Sequence, residues 1–264
     1  MKARNILENK KRIVIKVGSS SLTHKDTGHI SIARMELLVR QIADIKNAGK
    51  DVILVSSGAI AVGISALNMK NRPESLSDKQ AVAAVGQASL MMIYQKLFRE
   101  YNKTVGQVLI TKDLLEHEGR KNNTINTFNA LLKLGAIPIV NENDTVSTEE
   151  IEFGDNDNLS AIVACLIEAD LLIILSDIDG LFNSDPSTNP DASIINEVMR
   201  IDDTIENMAT DSISKVGTGG MITKIQAAKL ANEYGIDTVI ANSETDHVIY
   251  KIMKQEPIGT IFYS

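Results

Sequence analysis

The sequence predicts an α/β fold: an αβα sandwich whose mostly parallel, open central sheet has about eight strands. Two observations carry this. Short β-branched runs alternate with longer stretches of helical period along the whole chain, the pattern of a parallel sheet covered on both faces by its crossover helices. The chain is also large enough to bury that sheet: 264 residues, 44% hydrophobic and 23% charged, bury roughly 73% of their unfolded surface by size scaling.

In chain order, the strands are expected at Ile13 to Val17, Val52 to Val55, Val105 to Ile110, Ile137 to Val140, Leu171 to Leu175 and Thr238 to Ala241, with weaker candidates at Ile194 to Val198 and Thr260 to Phe262. Pro138 is a complication, because it removes one ladder donor. Between the first two runs, Ile32, Met35, Leu38, Val39, Ile42 and Ile45 recur at three- and four-residue spacing, and Gly49 follows where a helix end favours φ > 0. Further helices are expected at Ser77 to Arg99, Thr124 to Leu134, Asn158 to Glu168 and Met221 to Tyr234. Met91 and Met92 read as core filler on the helix from Ser77. The irregular stretch Asp179 to Asp191, with Pro186 and Pro190, covers a site or divides two lobes. With no linker or repeat in view, a single domain over 1–264 is the simpler organisation.

Composition excludes several functions. The net charge is −7, from 27 basic and 34 acidic side chains, and Trp is absent; sequence-independent nucleic-acid binding needs a basic field that this chain lacks. No uncharged run reaches the ~18 apolar residues of a membrane span, and the start has no signal-peptide core, so a cytoplasmic protein is expected. The one cysteine, Cys165, sits in an apolar run and reads as buried and inert. His24, His29, His117 and His247 have no metal-ligand spacing, and there is no G-x-S-x-G elbow.

Ligands bind open α/β sheets at the carboxyl ends of the strands, and four such ends are informative. After the first strand comes Lys16-Val17-Gly18-Ser19-Ser20. An ammonium in a doubly covered strand costs several kcal/mol unless an anion meets it; either the strand is an edge with Lys16 in water, or Lys16 points into a phosphate cleft. The second end, Ser56-Ser57-Gly58-Ala59, opens a small-residue helix whose first N–H groups attract anions. Alternatively, Gly58 permits close helix packing. The third region, Asn141-Glu142-Asn143-Asp144 followed by Gly154-Asp155-Asn156-Asp157-Asn158, concentrates carboxylates and amides. Such residues serve turns and N-caps, but they also hold an ammonium, orient lysines or sit near Mg²⁺. The fourth is Ser176-Asp177 with Gly217-Thr218-Gly219-Gly220-Met221-Ile222-Thr223-Lys224. A lysine in a first helical turn opposes the helix dipole and needs another reason to be there. These strings are neither a Walker loop, an EF-hand nor a G-x-G-x-x-G motif.

Together, Ile15 to Ser20, Ser56 to Ala61, Asn141 to Asp144, Gly154 to Asn158 and Gly217 to Lys224 resemble the amino acid kinase family, in its motif order and from about Ile13 to the chain end. The likeness is to the branch that phosphorylates the γ-carboxylate of L-glutamate with ATP, giving L-glutamyl 5-phosphate in the first step of proline biosynthesis. Many members of that branch carry a C-terminal PUA domain, and this chain stops near where it would begin. The resemblance implies that a part spanning roughly 1–165 binds glutamate and one spanning roughly 166–264 binds ATP. It implies Lys16, Lys224, Asp157 and Asp155 as catalytic residues, and Ser57, Gly58, Ala59, Asn141, Asp144 and Asn156 as glutamate contacts. For ATP it implies Lys16, Gly18, Ser19, Ser176, Asp177, Thr218, Gly219, Gly220, Met221, Ile222, Thr223 and Lys224, with Mg²⁺ held mainly through the nucleotide phosphates. It further implies feedback inhibition by proline and a homo-oligomer, dimer or tetramer. Acetylglutamate kinase, of the same fold, is the alternative enzyme, and a non-catalytic amino-acid sensor is the alternative of another class. The reading requires Lys16 and Lys224, from opposite ends of the chain, to share one pocket with an acidic wall beside it.

Overall fold

The computed structural model describes residues 4–111, 114–115, 117–146, 156–211 and 220–264. The chain divides into two compact units, Val17–Glu152 and Met1–Lys16 with Phe153–Ser264.

In the first unit, β2 (Asp51–Ser56), β3 (Val105–Ile110) and β4 (Ile137–Glu142) lie parallel in the order β3-β4-β2. Pro138 is accommodated inside β4: it lies opposite Gly106 of β3, while the ladder to β2 runs through Leu54–Ile139 and Val55–Val140, past it. The unit's helices are α1 (Ser19–Leu22), α2 (Ile32–Asn47), α3 (Ala59–Ala66), α4 (Leu76–Glu100) and α5 (Glu118–Lys133). Side chains cap α2 and α4, with Ser31 accepting from Arg34 N–H and Ser75 from Asp78 N–H. The helix expected from Thr124 begins earlier, at Glu118, after His117, whose side chain forms no cap. α3 and α4 touch through glycines: a Cβ on Gly63 would stand 2.0 Å from the Val82 carbonyl oxygen, and one on Gly86 1.7 Å from that of Ala59. Close packing is thus the task of Gly63 and Gly86. Gly58 has room for a Cβ but holds φ +107, so it is required by backbone conformation. Met92 is 70% exposed on α4 and is not core filler.

The second unit holds β1 (Arg12–Val17, its last residue aside), β5 (Leu171–Ser176), β6 (Glu197–Val198), β7 (Asp237–Asn242) and β8 (Thr260–Phe262), ordered β1-β5-β7-β8-β6. β5 and β7 are parallel, and β7 and β8 antiparallel. The weak strand candidate at Ile194 to Val198 contracts to the two residues of β6. β5 is buried along its whole length. The helices are α6 (Asn156–Leu166), α7 (Asp203–Asp211), α8 (Met221–Glu233) and α9 (Val248–Met253), and α6 packs against α8.

The stretch from Asp179 is a pinned excursion. Phe182 and Ile194 form an antiparallel bridge, and Asp185 organises the tip by accepting from Ser187 N–H at 2.8 Å. Its base closes on the buried Thr260, whose Oγ1 accepts from Leu181 N–H at 2.8 Å and donates to the Ile195 carbonyl at 2.6 Å. Among the described residues, no helix is long and apolar enough to cross a membrane.

Candidate active site

In each unit the candidate residues lie at or beyond the carboxyl ends of the strands. In the second unit, Lys16 is the penultimate residue of β1 and is only 6% exposed; it is not an edge lysine in water. Its Nζ lies 2.5 Å from Oδ1 of Asp157, which is fully buried in the first turn of α6, where the helix dipole favours a carboxylate. Oδ2 of the same carboxylate takes Lys224 Nζ at 3.2 Å and the Thr223 hydroxyl at 2.9 Å. Lys224, 3% exposed in the first turn of α8, is therefore held against the dipole by Asp157. Two lysines remote in sequence meet on one buried carboxylate.

The electrostatics follow from that geometry. Burial pushes the Asp157 carboxyl up, but the charges of Lys16 and Lys224 and hydrogen bonds from Lys16 and Thr223 outweigh it and hold the group below its ordinary value. Burial pulls the Lys224 ammonium down, aided by the like charge of Lys16 and opposed by Asp157 and Asp177. The carboxylate carries one negative charge and its two partners carry two positive ones, so the cluster holds a net cation in a desolvated place. Such a cluster suits an anionic group.

Ser176 and Asp177 follow directly on β5. The Ser176 hydroxyl donates to Asp177 Oδ1 at 3.1 Å, and its carbonyl accepts from Ser243 N–H at 2.7 Å. Beyond them, Asn242 Nδ2 donates to Asp179 Oδ1 at 2.8 Å. Gly220 is exposed at the start of α8, with open space where a Cβ would be. Met221 turns its side chain into the core and Ile222 is half-buried. Asn156 is the first residue of α6. Asp155, Thr218 and Gly219 lie outside the described residues.

In the first unit, Gly18 precedes α1, which Ser19 opens. Ser57 donates its N–H to the Val17 carbonyl at 3.0 Å, and Gly58 then turns the chain into α3 with Ala59 buried at its start. At the end of β4, Asn141 is buried and donates from Nδ2 to Gln87 Oε1 at 2.9 Å. The chain turns at Asn143, whose side chain takes the Thr145 hydroxyl at 2.6 Å, and Asp144 in that turn is half-buried. Burial, aided by the charge of Glu142, raises the Asp144 carboxyl to about 6. A cation beside such a carboxylate would relieve the cost of its ionisation. Gln87 belongs to no sequence motif; only its place on α4 reveals it.

The remaining singled-out residues stay apart from this chemistry. Cys165 is half-buried rather than buried, and burial pushes its thiol up to about 11, leaving it protonated at neutral pH. His29 contacts the Ser65 hydroxyl at 2.5 Å, and His247 stacks on Tyr250. Among the described residues, no group of three or more His, Cys, Asp and Glu side chains is placed to hold a metal ion.

Comparison with known proteins adds to this geometry. Residues 11–242 match the family described as Amino acid kinase family. The glutamate 5-kinase of Clostridium perfringens is 54% identical over 263 residues, covering 98% of this chain and 97% of that protein. The glutamate 5-kinase of Carboxydothermus hydrogenoformans is 53% identical, covering 98% of this chain and 70% of that protein. Among solved structures, UMP kinase from Bacillus anthracis superposes with a TM-score of 0.63 at 16% identity, covering 96% of each chain. UMP kinase from Ureaplasma parvum does so at 0.63 and 20%, covering 97% of this chain and 99% of that one. At those identities the structural likeness carries the fold: mostly parallel strands between helices, as the sequence predicts.

Proposed function

The chain belongs to the amino acid kinase family, with glutamate 5-kinases among its relatives, and from that premise we propose that it transfers the γ-phosphoryl group of ATP to the γ-carboxylate of L-glutamate. The products are L-glutamyl 5-phosphate and ADP, and the reaction opens proline biosynthesis. The observation that carries the reading is the pair of buried ammoniums, Lys16 and Lys224, on Asp157.

A glutamate side chain, with a reference pKa near ~4.3, is already ionised at neutral pH and attacks phosphorus without a general base. What opposes reaction is the approach of two anions. In this reading Lys16 and Lys224 neutralise charge on the equatorial oxygens, and Asp157 keeps both ammoniums aimed. Ser176, Asp177 and the start of α8 receive the nucleotide, along with Gly18, Ser19, Thr218 and Gly219. Ser57, Gly58, Ala59, Asn141, Asp144 and Asn156 receive glutamate, with the Asp144 carboxylate facing its α-ammonium. Asp157 is committed to two lysines, so Mg²⁺ fits as an ion carried on the nucleotide phosphates, where it supplies further neutralisation. Inhibition by proline and assembly into a homo-oligomer rest on the family resemblance.

The test is ADP release measured on L-glutamate and on N-acetyl-L-glutamate, with the acyl phosphate trapped by hydroxylamine. Turnover on free glutamate, giving the γ-hydroxamate, is expected. Preference for the acetylated compound would replace the assignment with acetylglutamate kinase, and turnover on neither would leave a binding protein.

A further inference from the structure

Gln87 sits where α4 meets three parts of the first unit. Its Oε1 accepts from Asn141 Nδ2 at the end of β4. Its neighbour Gly86 presses on the start of α3, where a Cβ would stand 1.7 Å from the Ala59 carbonyl oxygen and 2.5 Å from Gly63 N. One heptad further along, and so on the same face of the helix, buried Tyr94 shares a 2.8 Å hydrogen bond with the Ser56 hydroxyl at the end of β2. Gly86, Gln87 and Tyr94 of α4 thus meet Ala59, Asn141 and Ser56, which sequence separates into two motifs.

We propose that Gln87 is a positioning residue for glutamate, acting through Asn141. An amide side chain carries a donor and an acceptor on opposite arms, and which arm faces a ligand depends on what fixes the other. By accepting from Nδ2, Gln87 holds the Asn141 amide in one polarity, so that the opposite arm is the acceptor Oδ1. An acceptor presented that way suits the α-ammonium of an amino acid, next in sequence to the carboxylates of Glu142 and Asp144. The inverted amide would present hydrogens to a cation. The proposal rests on the reading of Asn141 as a glutamate contact.

The experiment is steady-state kinetics and urea unfolding on Gln87→Met, Gln87→Glu, Asn141→Ala and the Gln87→Met/Asn141→Ala double variant. Loss of one hydrogen bond corresponds to roughly a three- to tenfold effect. Gln87→Met is expected to raise KM for glutamate by that factor and leave KM for ATP unchanged. Gln87→Glu, which only accepts, is expected to keep KM for glutamate near the parent value. In the Asn141→Ala background, Gln87→Met should add nothing, because a residue that acts through another is silent without it. Equal rises in both KM values, additivity in the double variant, or Gln87→Glu as impaired as Gln87→Met would each overturn the proposal. If Asn141→Ala raises KM for glutamate and Gln87→Met does not, this inference alone falls; if Asn141→Ala has no effect, the assignment of Asn141 falls and takes this inference with it.

Discussion

Lys16 and Asp157 meet head to head, Nζ to Oδ1 at 2.5 Å, with both side chains withdrawn from water. A buried ion pair of this kind is weak evidence for stability, but breaking it leaves a charge without a partner. Here Asp157 has two partners, so its loss strands two ammoniums a short distance apart.

Asp157→Ala is therefore expected to cost about 3–5 kcal/mol, read as a lowered urea midpoint at unchanged slope. Lys224→Ala removes a charge that repels Lys16 and leaves the Lys16–Asp157 pair intact, so it should be far better tolerated in folding. Its turnover should nonetheless fall about 100- to 1,000-fold, the scale for losing one preorganised donor at developing charge. A Lys224→Ala variant that turns over like the parent would sink the phosphoryl-transfer role of this cluster.

On the proposed function, Asp144 is expected to couple activity to pH. Its carboxyl is raised to about 6, and only the ionised form attracts the substrate ammonium. As pH falls below about 6, kcat/KM for glutamate should drop roughly tenfold per unit, because that ratio reports the free enzyme. Asp144→Asn should flatten that limb and raise KM for glutamate while sparing KM for ATP. Stability runs the other way. A carboxyl raised above its ordinary 3.8 favours the fold when protonated, an advantage held below about pH 4 and lost as pH rises through about 6. Asp144→Asn should thus gain on the order of 1–2 kcal/mol at pH 7 to 8 while binding glutamate poorly. A variant that is both less stable and still pH-sensitive would remove Asp144 from this role.

The helix contact under the substrate residues gives a third test. Gly86→Ala drives a methyl group into the Ala59 carbonyl oxygen, and overpacking of this kind costs about 1–3 kcal/mol. Because Ala59 must move, glutamate binding should weaken as well. Gly119→Ala is the control: on α5 a Cβ there meets nothing within 4 Å, so it should be neutral or stabilise by about 0.4–1 kcal/mol. Thermal unfolding and glutamate titration separate the two.

Much of the architecture was legible because strand runs and helical periods are local signals. Lys16 stood out in sequence as a cation in an apolar strand, and Lys224 as a cation at the wrong end of a helix. Their common partner was legible only through the family resemblance, which names Asp157 beside them; nothing in the spacing of residues 16, 157 and 224 by itself states that they meet. The start of α5 was missed because no side chain caps it. Met92 misled because an apolar type in an amphipathic helix does not reveal which face it occupies. Gln87 escaped for the opposite reason: a polar residue mid-helix resembles an ordinary solvated position until the fold sets Asn141 against it.

Thr260 ties off the excursion from Asp179 as a drawstring closes a bag: one hydroxyl gathers both sides at Leu181 and Ile195. What lies beyond the knot is tied to the sheet through that one hydroxyl and the Phe182–Ile194 bridge. The tip around Asp185 to Asn189 is thus the natural place to graft foreign peptide, such as an affinity handle or a fluorophore site, without retuning the enzyme.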